Sequence, residues 1–409
     1  MRNLLISILA FGLLLVGQPS FADKGGKCGK MPRLAQPQHK VMIQAQKLMA
    51  KDNAKAGRLL DEFAQKHPKA SHCQFSFLRG VIAYQSKKLA RAKGFFAKAV
   101  QLRPCHVPAL CNLAVVTYEL GDPVEAARLM IKAYEYNEKP QPNYLYQAAA
   151  FYLTAKQPNK ALPLLVKLAN LPSVKPQWLK ALVRTYMELK RYKEAEAALA
   201  KLLRQTPGEA ELWRLSAMLN LGQGKNAAAA ADLEVSYRLA TPAKAKWRTL
   251  ADLYRMAGVP LKAARYYQLS FGDKPTAKQL LLLAGVYFEA NEVDKALQAA
   301  HASIKLKPTA KCWRFIAQIQ MQNKKYKAAV KAYEKAAQLA PQNARLKIMA
   351  GYCALQMENY QQALEHLAQA MKRAKPDSKE AKEAKRTMNS IKKYLDSEKR
   401  DKSLGLKRS

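Results

Sequence analysis

The chain has 409 residues, with 70 lysines and arginines against 30 aspartates and glutamates, and a formal net charge of +40. So large an excess excludes a charge-neutral surface: it draws anionic partners, and the attraction weakens as salt rises. Almost half of the residues are hydrophobic, and a chain this long can bury a continuous core, so the six cysteines are not needed as a disulfide scaffold.

The N-terminus opens with Met1-Arg2-Asn3, an apolar run over 4–17, and Ser20-Phe21-Ala22. One positive charge, a short apolar core and small residues at its exit predict a secretory signal peptide over 1–22, cleaved before Asp23. The apolar run of about 14 residues is short for a membrane span. The expectation is therefore an exported protein, periplasmic or secreted. Export removes nucleic acid, the usual partner of a basic chain, from consideration. It leaves acidic protein segments, and peripheral contact with an anionic membrane surface. Residues 23–36 are rich in Gly, Lys and Pro and predict an extended lead-in.

From residue 37 one pattern returns every 33 or 34 residues, counted back from Pro104, Pro207, Pro275, Pro308 and Pro341. A period near 34 predicts stacked helix pairs. About ten units fill 37–377, and 378–409 predicts a basic capping helix and tail that frays from about Asp396. Small residues recur at one crossing point (Gly80, Ala114, Ala149, Ala217, Ala251, Ala284, Ala317, Gly351). Alanine recurs at a second (Ala92, Ala126, Ala161, Ala195, Ala229, Ala263, Ala296, Ala329, Ala363). Large residues such as Phe96, Leu165, Tyr267, Tyr333 and Leu367 fill the rest. The tyrosines Tyr144, Tyr146, Tyr152, Tyr186, Tyr266 and Tyr267 fall at helix-packing spacings and read as core filling. In the last segment Ala384, Met388, Ile391 and Leu395 make one apolar stripe opposite a Lys/Arg-rich face, which suits a terminal cap.

The clearest unit, 310–343, carries Trp313, Ile316, Ala317, Ala329, Tyr333, Ala336 and Pro341. Unit 244–276 carries Trp247, Leu250, Ala251, Tyr254, Ala263, Tyr267 and Pro275. On these residues the chain resembles the tetratricopeptide-repeat family. The match is weaker in 37–70 and in 142–175, where Ser173 replaces the closing proline. The resemblance implies an all-α, right-handed α-solenoid that binds other proteins and is not an enzyme. A narrower resemblance runs through 250–265 and the cysteine soon after the signal. It points to periplasmic tetratricopeptide proteins of TonB energy-transduction systems, and implies an accessory of TonB-dependent transport.

In that family the first helix of each pair lines the groove. Its second, fifth, ninth and twelfth positions touch partners. Carried onto this chain, the fifth position holds Lys180, Arg214, Arg248 and Arg314 in four of five consecutive units, and Leu281 interrupts. Lys278, Lys311 and Arg345 hold the second, and Arg184 and Arg255 lie further along their helices. The expectation is a basic ladder that grips carboxylates of an acidic segment. The paired asparagines of the family's chaperone-binding clamp are absent. An alternative is an envelope scaffold that meets anionic membrane or polysaccharide through its convex face and C-terminal tail.

Catalytic motifs are missing: there is no G-x-S-x-G, no H-E-x-x-H and no C-x-x-C. Cys73, Cys105 and Cys111 lie in neighbouring repeats, as do Cys312 and Cys353, so each group could hold a disulfide. The soft donors of His72-Cys73 and Cys105-His106 match no zinc or haem spacing. Neither a metal nor a cofactor is expected.

Overall fold

The computed structural model describes residues 31–139 and 141–403. The signal-peptide reading and Cys28 lie outside the described residues. Two units partition the chain, Met1–Leu212 and Trp213–Ser409. Among the described residues both are all-helical.

The first unit holds α1 (Gln36–Met49), α2 (Asn53–Lys66), α3 (Cys73–Gln85), α4 (Leu89–Leu102), α5 (Val107–Glu119), α6 (Pro123–Tyr136), α7 (Pro142–Thr154), α8 (Pro158–Ala169), α9 (Pro176–Glu188) and α10 (Tyr192–Gln205). The boundary falls inside α11 (Ala210–Gly222). The second unit continues with α12 (Asn226–Leu239), α13 (Trp247–Met256), α14 (Pro260–Phe271), α15 (Ala277–Glu289), α16 (Val293–Leu306), α17 (Ala310–Gln322), α18 (Tyr326–Leu339), α19 (Ala344–Leu355), α20 (Tyr360–Arg373) and α21 (Lys379–Ser403). Within each unit consecutive helices pair as hairpins, and successive hairpins pack on one another. Each unit is an α-solenoid whose core runs along the stack.

Local chemistry sets the helix starts. Proline stands in the first turn of α6, α7, α8, α9 and α14, where its missing N–H is no loss. Asp122 caps α6 by accepting the Glu125 N–H at 3.0 Å. Thr276 and Gln279 close a reciprocal capping box on α15.

Within a hairpin the chain reverses through one residue of positive φ. Lys87, Gly121, Lys156, Lys190, Gly224, Gly258, Asn291, Lys324 and Glu358 take this place in successive hairpins. The turn therefore repeats at the period of the sequence. Glycine fills only three of these sites, although the conformation favours it.

The two rows of small residues are where the helices cross. All nine alanines of the second row, from Ala92 to Ala363, are completely buried. In the first row a Cβ on Gly80 would lie 2.5 Å from the Phe96 ring, so that ring occupies the space a side chain would need. Tyr146, Tyr152, Tyr266 and Tyr267 are buried, and Tyr144 and Tyr186 half-buried, as core filling requires. Ala384 and Ile391 of α21 bury against Ile348, Ala363, Leu367 and Ala370. Helix α21 does not stop near Asp396: it runs on to Ser403.

Candidate partner-binding face

The nine basic residues singled out from the sequence separate into two groups. One group is held by carboxylates of the next hairpin. In the first unit Lys180 on α9 reaches Glu209 at 2.7 Å and Glu211 at 3.3 Å, and Arg184 donates to Glu211 at 3.0 Å. The Lys180 side chain is 23% exposed. Burial works to lower its pKa, but the hydrogen bonds and charges of Glu209 and Glu211 outweigh burial and raise it.

In the second unit Arg255 on α13 grips Glu289 on α15, with Nε donating to Oε2 at 2.8 Å and Nη2 to Oε1. The Glu289 hydrogen bond holds the Arg255 pKa above its ordinary value, against burial. Arg345 on α19 donates to Glu383 of α21, which also accepts from the Tyr352 hydroxyl at 2.6 Å. The Tyr352 hydrogen bond, with the Arg345 charge, keeps the Glu383 carboxyl below the usual range. Arg248 has a looser contact, 3.9 Å to Asp252 on its own helix. Lys180, Arg184, Arg255 and Arg345, which the sequence reading had given wholly to a partner, thus reach carboxylates beyond their own hairpins.

The other group is Arg214, Lys278, Lys311 and Arg314, all exposed. None of the four has a carboxylate partner among the described residues. Helices α13, α15, α17 and α19 carry two carboxylates between them, Asp252 and Glu289. Asp252 accepts the Tyr267 hydroxyl, and Glu289 is taken by Arg255. The first helices of the second unit thus offer cations with no internal carboxylate left to neutralise them.

A carboxylate that sequence reasoning missed is Glu234 on α12, whose side chain is 8% exposed. It accepts from Tyr254, from Arg238 and from Lys262 Nζ at 3.0 Å. Burial alone would raise its pKa. The hydrogen bonds from Tyr254, Lys262 and Tyr266 prevail and bring it to about 2. The rings of Trp247, Tyr266 and Tyr254 stack beside it at 5.5 and 5.7 Å, with interplanar angles of 6° and 10°. This carboxylate is fully engaged and locks α12, α13 and α14 together. Its only sequence signal is an acid at a position that reads as buried.

The cysteine expectation needs correction. Cys73, Cys111, Cys312 and Cys353 are free thiols, all buried. Cys312 accepts from Thr309 at 3.1 Å and lies 3.3 Å from Ser303 Oγ of the preceding hairpin, and Cys353 is completely buried. Cys105 is disulfide-bonded. Burial pushes the Cys111 thiol up to about 12 and the Cys353 thiol to about 11, so neither is a nucleophile near neutral pH.

No cluster of three His, Cys, Asp or Glu side chains suited to a metal ion occurs among the described residues. A shallow depression over Glu125, Arg128, Ile131, Lys132 and Glu135 lies along α6 alone and gathers no catalytic set. Among the described residues no helix is long and apolar enough to cross a membrane.

A stack of helix hairpins with a cationic row on its first helices defines a helical-repeat scaffold of the kind that binds other proteins. Family models described as tetratricopeptide repeats match residues 152–219, 281–344 and 320–388. Those residues carry tetratricopeptide repeats. No curated protein sequence matches it. Among solved structures it is similar to a tetratricopeptide repeat protein from Parabacteroides merdae (18% identity, TM-score 0.40, 61% of this chain and 98% of that one). It is similar to YrrB, described as a TPR protein with an unusual peptide-binding site (16%, 0.38, 45% and 93%). It is also similar to yeast Tom70 (12%, 0.32, 88% and 96%).

Proposed function

We propose that this protein is a non-enzymatic adaptor of the cell envelope that binds an acidic segment of another protein along the first helices of its hairpins. The observation that carries this reading is the set Arg214, Lys278, Lys311 and Arg314, exposed cations without carboxylate partners among the described residues. Guanidinium and ammonium groups make charge-assisted hydrogen bonds to carboxylates, against an ordering cost of about 0.5–1.5 kcal/mol per immobilised side chain. Export through the predicted signal peptide supports a periplasmic or secreted location, and the disulfide at Cys105 suits an oxidising compartment. The resemblance of 250–265 to TonB-associated proteins supports a role beside TonB-dependent transport as one form of this adaptor.

The experiment is capture of envelope proteins by the purified chain and by the variant Arg214→Glu, Arg248→Glu, Arg314→Glu. The reading expects a specific set of proteins, lost on charge reversal and in high salt. Equal capture by the variant refutes it. TonB-system components in the captured set would support the narrower role, and their absence from a set otherwise lost on reversal would remove it.

The basic face of α21, with Lys379, Lys382, Lys385, Arg386, Lys392 and Lys393 exposed, supports a second reading as a scaffold on an anionic membrane or polysaccharide. Binding to anionic vesicles that survives the triple reversal would favour it.

A further inference from the structure

At the start of α3 three soft donor atoms converge. The Cys73 thiol, 3% exposed, donates to Met31 Sδ at 3.6 Å. His72 Nδ1 lies 4.0 Å from Cys73 Sγ. Nδ1 accepts the Gln74 N–H at 3.1 Å, so it carries a lone pair and the ring proton sits on Nε2. Nε2 in turn donates to the Pro32 carbonyl at 3.0 Å. An imidazole fixed by a carbonyl on one nitrogen, with the other turned toward sulfur, has the second-shell arrangement of a metal-ligating histidine.

We propose that Cys73 Sγ, Met31 Sδ and His72 Nδ1 form a three-coordinate site for monovalent copper. Thiolate and thioether donors select a soft ion, and Cu(I) is the soft first-row ion. Structural zinc takes four donors, commonly Cys and His; here there are three, and one is a thioether. The site escapes a count of His, Cys, Asp and Glu because one of its three ligands is a methionine. Bonds of about 2.0 Å to nitrogen and 2.3 Å to sulfur, usual for a first-row metal, can bridge the 3.6 Å between the two sulfurs and the 4.0 Å between Cys73 Sγ and His72 Nδ1. The ion replaces the proton that now lies between the two sulfurs. The Cys73 S–H bond breaks, its proton goes to water, the Cu–S bond forms, and no electron is transferred. Burial raises the pKa of the Cys73 thiol, and the charge of Arg103, also buried, works against that rise. Met31 is only half-buried, which gives the ion a way in. Nδ1 exchanges the Gln74 N–H for the metal. Cys105, in a disulfide, offers no thiolate to compete.

The test is an anaerobic titration of the full chain with Cu(I) against a chromophoric Cu(I) chelator. The site should withdraw one equivalent. Met31→Leu should weaken binding at least tenfold and Cys73→Ser at least a hundredfold, while Cys312→Ser should leave it unchanged. X-ray absorption of the loaded protein should show two sulfurs and one nitrogen around copper. Circular dichroism reports whether Cys73→Ser folds; if it does not, Met31→Leu, at a half-buried position, decides. The proposal is overturned if the wild type withdraws no copper, if Met31→Leu binds as the wild type does, or if Zn(II) displaces Cu(I) at equal concentration.

Discussion

Arg255 on α13 and Glu289 on α15 stand 34 residues apart, one repeat, and are joined by two hydrogen bonds between neighbouring hairpins. In the first unit Tyr84 on α3 donates to Glu119 on α5 at 2.6 Å, 35 residues away. The same rung of the stack is thus bridged in both units by different donors. The side chains of Arg255 and Glu289 are 40% and 42% exposed. At that exposure water screens the pair, and exposed ion pairs contribute about 0–1 kcal/mol. We expect Arg255→Ala to lower stability by no more than about 1 kcal/mol, read by urea denaturation. A loss several times larger would mean that the pair carries the packing of the two hairpins.

Packing is carried by the crossing points. Gly80→Ala would place a methyl group 2.5 Å from the Phe96 ring, which is 1% exposed and has no free space to retreat into. Overpacking of this kind costs about 1–3 kcal/mol. The expected outcome is a midpoint lowered by that amount, with Gly94→Ala, where an added Cβ meets nothing within 4 Å, as the control.

The hairpin turns store strain that can be relieved. Lys190 has φ 57° and is exposed, whereas Gly224 and Gly258 fill the same place in later hairpins. An L residue in this region costs about 1–2 kcal/mol, partly offset by the larger unfolded-state entropy of glycine. Lys190→Gly should therefore raise stability by a few tenths to about 1 kcal/mol. Unchanged or lower stability on thermal denaturation would contradict this.

His366 on α20 is 3% exposed, and neither ring nitrogen has a hydrogen-bond partner; Glu334 Oε1 lies 3.4 Å from Nε2. Burial, and then the Lys347 charge, lower its pKa, against Glu334 and Glu365. Lys347 is itself buried, and Arg373 faces it from the end of α20. A histidine with a depressed folded pKa takes its proton first in the unfolded chain. Stability is then full above about pH 6.5, the unfolded value, and falls as pH drops below it. Hydrogen exchange in α19 and α20 should quicken between about pH 6.5 and 5 beyond its intrinsic pH dependence. His366→Gln should remove that excess. An excess that persists in the variant would assign it to another group.

The fold was legible because its signal is redundant. The period, the closing prolines and two rows of small residues each report the same crossing geometry. Ala92 to Ala363 could be placed in the core from spacing alone. The engagement of the ladder was not legible in that way. Arg184–Glu211, Arg255–Glu289 and Arg345–Glu383 are separated by 27, 34 and 38 residues, so no single offset identifies a cation's partner. The pairing depends on side-chain reach across two helices. The thiols failed for a related reason. Cys312 and Cys353 lie in adjacent repeats, but spacing along the chain does not tell which hairpin interior each side chain enters. Glu234 was invisible because a buried carboxylate and an exposed one look alike until Tyr254 and Lys262 are brought to it.

The central claim is that the unengaged cations of the second unit bind carboxylates. It is tested most directly by fluorescence anisotropy of a labelled, glutamate-rich peptide titrated with the full chain. Lys311→Glu combined with Arg314→Glu should weaken binding at least tenfold, binding should weaken further with added salt, and Arg255→Ala should change affinity little. Equal affinity of the wild type and the double reversal for this peptide, at low salt, would contradict the account.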